Sequence, residues 1–193
     1  MRLVELLINN PHTNRSRVNA LYALMCFHAS RFKARKSESG ELVLYAEQDV
    51  GLWDQDLTAK GIYHLHLSAK GDDLSKYHLE AGIAYWHTIK ADTRDKWERI
   101  LQLHNQLLQV EYSPIAELNR TYALSKANGK AAAIAEALKL NLATNQYYHT
   151  LLGVLYLGID NKKAAESLST ALSLAKTATD KRTIQKKIDA LSE

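Results

Sequence analysis

The residues with the greatest capacity for chemistry lie near the middle of the chain, within residues 74–87. Lys76, Glu80 and His87 are spaced by four and seven residues, so a helix would align them along one narrow polar line. A carboxylate close to an imidazole can perform general acid–base catalysis. A heptad nevertheless separates Glu80 from His87 by about 10 Å of helical rise. We therefore favour a structural stripe between stacked helices, held by a salt bridge or a bound water.

His78 points the opposite way from this line, among Ala81 and Tyr85. A histidine in such surroundings is more often a hydrogen-bonded core residue than a ligand, and we favour that interpretation. Apolar side chains, Tyr77 among them, cover nearly the whole circumference of the helix that residues 74–87 would form. This stretch is therefore predicted to be a central, buried helix.

The remaining histidines do not suggest a metal site. His64 and His66 are two residues apart, which places them about 200° apart around a helix. No two histidines are three or four residues apart, and the sequence has no cysteine cluster and no HExxH motif. Glycine-rich phosphate-binding motifs are missing as well. We predict that the protein has no metal site.

Two pairs of acids, Asp54 with Asp56 and Asp72 with Asp73, could in principle share a proton. Both pairs fall at predicted helix starts or turns, where capping and solvation account for them. No reactive group in the sequence has an activating neighbour. We therefore predict that the protein is not an enzyme and that it uses no cofactor.

The composition is that of an all-helical protein. The 193 residues include only two Pro and eight Gly, and the length allows a substantial core. The single cysteine, Cys26, lies in an apolar run, which suits a core thiol in a reducing cytoplasm. The first residues read as neither a signal peptide nor a membrane span. We predict a cytoplasmic protein without membrane contact.

Charge is unevenly distributed along the sequence. Residues 1–36 hold seven Lys or Arg against one acid, residues 37–160 hold eleven against sixteen, and the whole chain has a net charge of +4. This imbalance is too modest to indicate nucleic-acid binding. The basic run at Arg31, Lys33, Arg35 and Lys36 is interpreted as a solvated helix end, where cations favour the C-terminal dipole.

Capping residues and apolar spacing predict the elements of the first half. The predicted helices are about 2–9, 14–36 with Asn14 as N-cap, one from the N-cap Asp49 to about 70, 74–87, and about 93–110. Residues 37–40 are predicted to form a turn, and 41–45 an irregular segment. Trp53 follows Asp49 by four residues and is expected to face inward.

The second half divides into helix pairs of the length typical of tetratricopeptide-type repeats. Ser113 and Pro114 begin the first pair, about 113–127 with 130–140. The second pair is about 145–158 with 161–177, in which Gly153 occupies a small-residue position. A polar closing helix over about 180–191 supplies a solvated outer face.

Three motifs carry a resemblance to a known family. Residues 47–54 read EQDVGLWD, residues 75–84 read SKYHLEAGIA and residues 113–120 read SPIAELNR. The chain resembles the C-terminal, tetratricopeptide-like extension of a group of extracytoplasmic-function sigma factors of the sigma-70 family. Candidate interaction residues are those of the motifs together with His87, namely Gln48, Asp49, Trp53, Asp54, Tyr77, His78, Glu80, His87, Asn119 and Arg120.

The resemblance implies a regulatory interaction module in transcription initiation. Family members carry promoter-binding and polymerase-binding domains ahead of this extension, and residues 1–36 supply no such domains. The expected partners are therefore proteins, namely the sigma domains, RNA polymerase or a regulatory protein, with no sequence-specific DNA binding by this chain alone. The alternative function is a small-molecule sensor or enzyme with a pocket formed by Trp53, His78, Glu80, His87 and Asn119.

We predict an all-α fold, a right-handed stack of about ten helices in a single domain over residues 1–193. Its atypical half covers residues 1–110 and its tetratricopeptide-like half covers residues 111–193. Asn119 is expected at the border of a buried helix face, hydrogen-bonded to backbone. Arg120 is expected to pair with an acid from the 47–80 segment and thereby to join the two halves.

Overall fold

The computed structural model describes residues 1–35, 43, 45–71 and 73–191, and throughout this part of the chain the regular elements are helices. The predicted all-α fold is confirmed. In chain order the α-helices are α1 (Arg2–Asn9), α2 (Ser16–Ser30), α3 (Gln55–Ser68), α4 (Lys76–Trp86), α5 (Arg94–Val110), α6 (Pro114–Asn128), α7 (Lys130–Ala137), α8 (Gln146–Tyr156), α9 (Asn161–Leu174) and α10 (Ala178–Asp189). Short 3-10 turns occupy Lys33–Arg35, Tyr45–Glu47 and Val50–Leu52.

The chain forms two compact units. Unit 1 comprises Met1–Lys96 and Gln102–Glu111. Unit 2 comprises Trp97–Leu101 and Tyr112–Glu193. Each unit has its own cluster of buried apolar side chains, so each is described by itself.

The central helix of unit 1 is α2, which packs against α1, α3 and α4. Its Phe27 is fully buried and lies so close to Gly61 of α3 that an added Cβ there would come within 2.6 Å of the ring. The prediction that residues 74–87 form the central helix is therefore wrong. Only Leu79, Ala81 and Ala84 of α4 are buried. The larger aromatic residues of that helix remain partly exposed.

Unit 2 is built from helices that pack on their neighbours in sequence. Gly129, with φ of +92°, separates α6 from α7, a conformation that glycine adopts without strain. Gly153 lets α8 approach α9 closely, since a Cβ at this position would lie 2.6 Å from Leu168 Cγ. Side chains of α6, α7 and α8 share one core, and it consists of Leu118, Ala133, Ala137, Tyr148, Leu151, Leu152 and Leu155.

Two predicted helix starts are wrong. The helix expected from Asn14 begins at Ser16 and ends at Ser30, and Asn14 instead accepts a hydrogen bond of 2.6 Å from the side chain of Asn19. The helix expected from Asp49 begins only at Gln55. The predicted turn over residues 37–40 and most of the irregular segment over 41–45 lie outside the described residues.

Candidate functional site

A cluster of cations and aromatic rings forms where α2 ends. Arg31 directly follows α2, and the N–H of Asp54 donates a hydrogen bond of 2.8 Å to the carbonyl of Ser30. This bond fastens the segment before α3 across the end of α2. As a result Tyr45 and Trp53 come to lie against Arg31, although they are 14 and 22 residues away in sequence.

The geometry is that of a guanidinium beside two aromatic rings. Arg31 Cζ lies 5.3 Å from the centre of the Tyr45 ring and 5.8 Å from that of the Trp53 ring. The two rings are 6.2 Å apart. Arg31 is 7% exposed and Trp53 is 5% exposed. Cation–π contacts that exclude water to this degree are worth about 2 kcal/mol each.

Two lysines complete what we call the Tyr45 cluster, consisting of Arg31, Tyr45, Trp53, Lys90 and Lys96. Lys90 Nζ donates to the carbonyls of Tyr45, Ala46 and Gln48 at 2.9, 2.9 and 3.0 Å. Lys96 Nζ donates to the Tyr45 hydroxyl at 2.9 Å and also to the carbonyl of Ile89. Both ammonium groups lie within 5.3 Å of the centre of the Tyr45 ring. The lysines thus hold the 45–48 turn in place.

His87 lies beside this cluster. Its ring meets the Tyr45 ring edge-on, with 5.3 Å between the ring centres. Burial lowers the pKa of His87 to about 3, and the positive charges of Arg31 and Lys96 act in the same direction. At neutral pH the imidazole is therefore uncharged.

The buried side chains of Arg31, Gln48 and Trp53 contain polar atoms that have no hydrogen-bond partner among the described residues. These atoms are Nε of Arg31, Nε1 of Trp53 and Oε1 of Gln48. Gln48 is 6% exposed, and its amide nitrogen donates to the carbonyl of Val43 at 3.4 Å. Most buried polar atoms in native proteins do have partners, so these three require an explanation.

His78 lies in other surroundings, at the start of α4. Its Nδ1 accepts a hydrogen bond of 3.1 Å from the N–H of Ser75, and its Nε2 lies 2.8 Å from Ser16 Oγ. Ser16 Oγ in turn donates to the carbonyl of Ser68 at 2.6 Å. A neutral ring with its proton on Nε2 satisfies all of these bonds. His78 is hydrogen-bonded as predicted, but it is half-buried and does not lie in the core as expected.

The polar line along α4 does not form a catalytic pair. Lys76 Nζ lies 2.8 Å from the carboxylate of Glu111 and 5.7 Å from the centre of the Tyr77 ring. Burial raises the pKa of Glu80; the charge of Lys76 acts in the opposite direction, and the charge of Glu111 acts in the same direction as burial. The charged groups that shift the pKa of His87 include Arg31 and Lys96, and neither of these acts on Glu80. Glu80 and His87 therefore lie in separate surroundings. The expected salt bridge along the stripe is present, between Lys76 and Glu111.

The two aspartates of the 47–54 motif are capping residues. Asp54 Oδ1 accepts from the N–H of Leu57 at 2.9 Å and caps α3. Asp49 Oδ1 accepts from the N–H of Gly51 at 2.8 Å and caps only the Val50–Leu52 turn. Trp53 lies between the two caps and is buried, as its predicted inward orientation requires.

Asn119 differs from its predicted placement, whereas the predicted pairing of Arg120 stays a prediction. Asn119 is exposed on α6, so no buried amide has to be satisfied there. Arg120 Nη1 lies 3.5 Å from Glu117 Oε1, one turn earlier on the same helix. The apolar spacing of α6 suggests that Ile115 and Tyr122 lie on its inner face, but they are 48% and 40% exposed.

Sequence reasoning missed two features. It assigned Arg31 to a solvated helix end, whereas the structure buries Arg31 and leaves Lys33 exposed. It also missed an open cleft of about 650 Å³ at the start of α2, lined in part by Arg15, Arg17 and Lys70. Both features depend on segments that are distant in sequence, and no local pattern marks them.

Two features are absent from the described part of the chain. Across residues 1–35, 43, 45–71 and 73–191, three or more His, Cys, Asp or Glu side chains nowhere gather closely enough to hold a metal ion. Within the same residues every helix is too short or too polar to cross a lipid bilayer.

The fold and the site define a helical protein of two units with a cation-rich aromatic cluster in the first. Residues 1–69 match the model of DUF6596, described as a family of unknown function. Over 176 residues the chain is 30% identical to an uncharacterised protein of Rhizobium meliloti (strain 1021). The alignment covers 89% of this chain and 42% of that protein, so the chain spans less than half the length of this curated relative. No solved structure matches the chain.

Proposed function

We propose that the chain is a regulatory protein-interaction module of a sigma-factor-like protein, which acts in transcription initiation through protein contacts. The match over residues 1–69 supports this proposal, because that domain is found in sigma-factor-like proteins. The motifs at 47–54, 75–84 and 113–120 support it further through their resemblance to the extension of extracytoplasmic-function sigma factors.

The observation that carries the proposal is an exposed apolar face on α1. Leu3, Leu6 and Leu7 are 78%, 63% and 42% exposed, and their spacing places them within one arc of about 100° on the helix surface. The opposite side of α1 is held in unit 1, where Glu5 accepts hydrogen bonds from the Tyr22 hydroxyl and from Lys60 Nζ. A contiguous exposed leucine face is typical of a protein-binding surface.

The paired helices of unit 2 also suit a binding role. Consecutive helices pack there as in tetratricopeptide-type arrays, which present surfaces to peptides and proteins. Lys130 Nζ donates to the carbonyl of Leu157 at 2.6 Å and ties the first pair to the end of α8. The second unit would therefore offer a rigid surface for a protein partner.

The test is a binding assay on the full chain. Immobilised chain is exposed separately to RNA polymerase core, to the two sigma domains of an extracytoplasmic-function sigma factor from the same organism, and to the corresponding cell lysate with identification of bound transcription proteins. The variant Leu3→Glu/Leu6→Glu places charges in the exposed α1 face. Leu74→Glu is the matched control, because Leu74 is 60% exposed and precedes α4.

We expect one of the transcription proteins to bind the wild-type chain and the Leu74→Glu control equally. The α1 variant should bind at least about tenfold more weakly, a loss of about 1.4 kcal/mol. Absence of binding to all transcription proteins would overturn the proposed function. Equal binding by the α1 variant would remove α1 as the contact surface.

A further inference from the structure

We infer that Arg31 and Trp53 form a binding site for a carboxylate group, with Arg31 as the anchoring cation. The inference rests on the Tyr45 cluster alone and is independent of the proposed role of α1. The Arg31 guanidinium is positively charged, and the described residues supply no carboxylate to pair with it.

Arg31 is a buried guanidinium for which the described residues supply no counter-ion. Its exposure is 7%, its Nε has no hydrogen-bond partner among the described residues, and the structure shows no ion pair for it within that part of the chain. Burial lowers the pKa of Arg31, and among the described residues the ionisable groups that also act on it are Arg35 and Tyr45, neither of which is a carboxylate. An arginine stays protonated in proteins. A buried charge without a partner is strongly unfavourable, so an anion from outside the described residues would stabilise it.

The lysines of the cluster cannot serve as the anchoring donors. All three N–H groups of Lys90 can be assigned to the carbonyls of Tyr45, Ala46 and Gln48. Lys96 already donates to the Tyr45 hydroxyl and to the carbonyl of Ile89. These two residues therefore contribute positive potential, whereas Arg31 contributes the donors.

Trp53 and Gln48 provide further unmatched groups in the same region. Trp53 is 5% exposed, and its indole N–H has no acceptor among the described residues. The side chain of Gln48 retains an unmatched acceptor, Oε1, while its backbone carbonyl binds Lys90 at 3.0 Å. A ligand with an acceptor for the indole and a donor for the amide would satisfy both groups.

The chemistry of the site favours a carboxylate over other ligands. A single planar guanidinium whose Nε donor is unmatched suits a planar monoanion, which such a group can bind in a two-point contact. The neighbouring ammonium groups of Lys90 and Lys96 would repel a metal cation, and burial makes a doubly charged phosphate costly to desolvate. The carboxylate could belong to a free small acid or to an acidic side chain of a protein, and the experiment separates these sources.

The experiment titrates the full chain with sodium formate, acetate and benzoate, and separately with a Glu-containing peptide and its Gln counterpart. Sodium chloride at matched ionic strength and sodium phosphate are the anion controls. The readouts are the thermal midpoint and the fluorescence of the tryptophans, because the ligand would contact the Trp53 indole. Arg31→Gln and Arg31→Lys test the anchor. Lys33→Gln is the matched control, since it removes the same charge from an exposed position two residues away.

A carboxylate probe should raise the thermal midpoint by about 5 °C at a concentration near 100 times its Kd, and chloride should not. Arg31→Lys should bind at least about tenfold more weakly, because an ammonium lacks the planar fork. Lys33→Gln should bind like wild type. Response to the free acids assigns the site to a small molecule, and response only to the Glu peptide assigns it to a protein partner.

Several outcomes would overturn the inference. One is the absence of any midpoint or fluorescence response to every carboxylate probe. Another is an equal response to chloride, which would indicate a general salt effect. If Arg31→Gln fails to fold, Arg31→Lys and the fluorescence titration of the wild-type chain still test whether Arg31 anchors the carboxylate. Retention of full affinity in Arg31→Lys would exclude the guanidinium as the anchor.

Discussion

Trp53 is the side chain whose removal should most disturb unit 1. It is 5% exposed and lies against both Tyr45 and Arg31. We expect Trp53→Ala to lower the free energy of unfolding by about 3 to 5 kcal/mol, because truncation of a buried aromatic leaves a cavity. Urea denaturation followed by circular dichroism measures this change.

Tyr63→Ala is the matched control for that substitution. Tyr63 is 61% exposed on α3, so its truncation creates no cavity. Its effect should stay within about 0.5 kcal/mol. Coincident denaturation midpoints for Trp53→Ala and the wild-type chain would show that Trp53 does not contribute to the core.

The stability of the protein should fall as pH decreases below about 6.5. The pKa of His87 is lowered to about 3 in the folded chain, against 6.5 for the unfolded reference. Between these values the unfolded chain binds a proton that the folded chain does not, so stability is full above pH 6.5 and is lost towards pH 3. One such group contributes a slope of at most about 1.4 kcal/mol per pH unit. Burial also lowers the pKa values of His28 and His64, which adds in the same direction.

The measurement is the free energy of unfolding between pH 7.5 and 4.5 for the wild-type chain and two variants. His87→Gln should show a shallower dependence on pH than the wild type. His12→Gln, which alters an exposed histidine, should follow the wild type. An unchanged slope in His87→Gln would mean that this imidazole is readily protonated in the folded state.

At the scale of single residues, sequence reasoning succeeded where local chemistry decides and failed where distant segments meet. The sequence predicts that His78 is hydrogen-bonded, and the bond from Ser75 forms within the start of α4, whereas the contact with Ser16 joins a distant segment. The burial of Arg31 depends on Tyr45 and Trp53, which fold over it from another segment. Arg31 belongs to the same basic run as Lys33 and Arg35, which is typical of a solvated helix end. The spacing of these residues does not mark Arg31 as the buried one.

Among the elements, the start of α3 gives a direct test of the corrected cap. Asp54→Ala removes the acceptor for the N–H of Leu57 and should cost about 1 kcal/mol of stability. Asp49→Ala removes only the bond to Gly51 in a short 3-10 turn, and its effect should be smaller. Urea denaturation of both variants provides the comparison. A larger loss of stability for Asp49→Ala than for Asp54→Ala would contradict the assignment of Asp54 as the cap of α3.

Elements with strong local signals were predicted well. The prediction for α1 matches Arg2–Asn9, and α5 begins at Arg94 after the N-cap Thr93. The start of α3 was predicted too early because Asp49 and Asp54 both carry cap chemistry, and their local sequences do not reveal which one begins a long helix. The central position of α2 results from its packing against α1, α3 and α4. The sequence of one helix does not show which other helices will surround it.

For the whole molecule, we predict no promoter affinity beyond weak, salt-sensitive association. The net charge is +4, and α1 and α2 supply no pair of DNA-reading domains within the described residues. Gel-shift assays with a promoter fragment and a scrambled duplex should show equal, weak binding that disappears near 150 mM salt, where exposed charges are screened. Sequence-selective binding that persists at that salt concentration would contradict the prediction.

The pattern of packing in unit 2 has a kinetic consequence. Its main helix contacts join α6 with α7, α7 with α8, α8 with α9, and α9 with α10. Such contacts close only short loops, so little chain entropy is lost before each new pair of helices begins to gain stability. Helical arrays with this low contact order fold on a timescale on the order of milliseconds or less. The repeat-like helices should therefore acquire structure early as the chain leaves the ribosome, at a rate limited by synthesis.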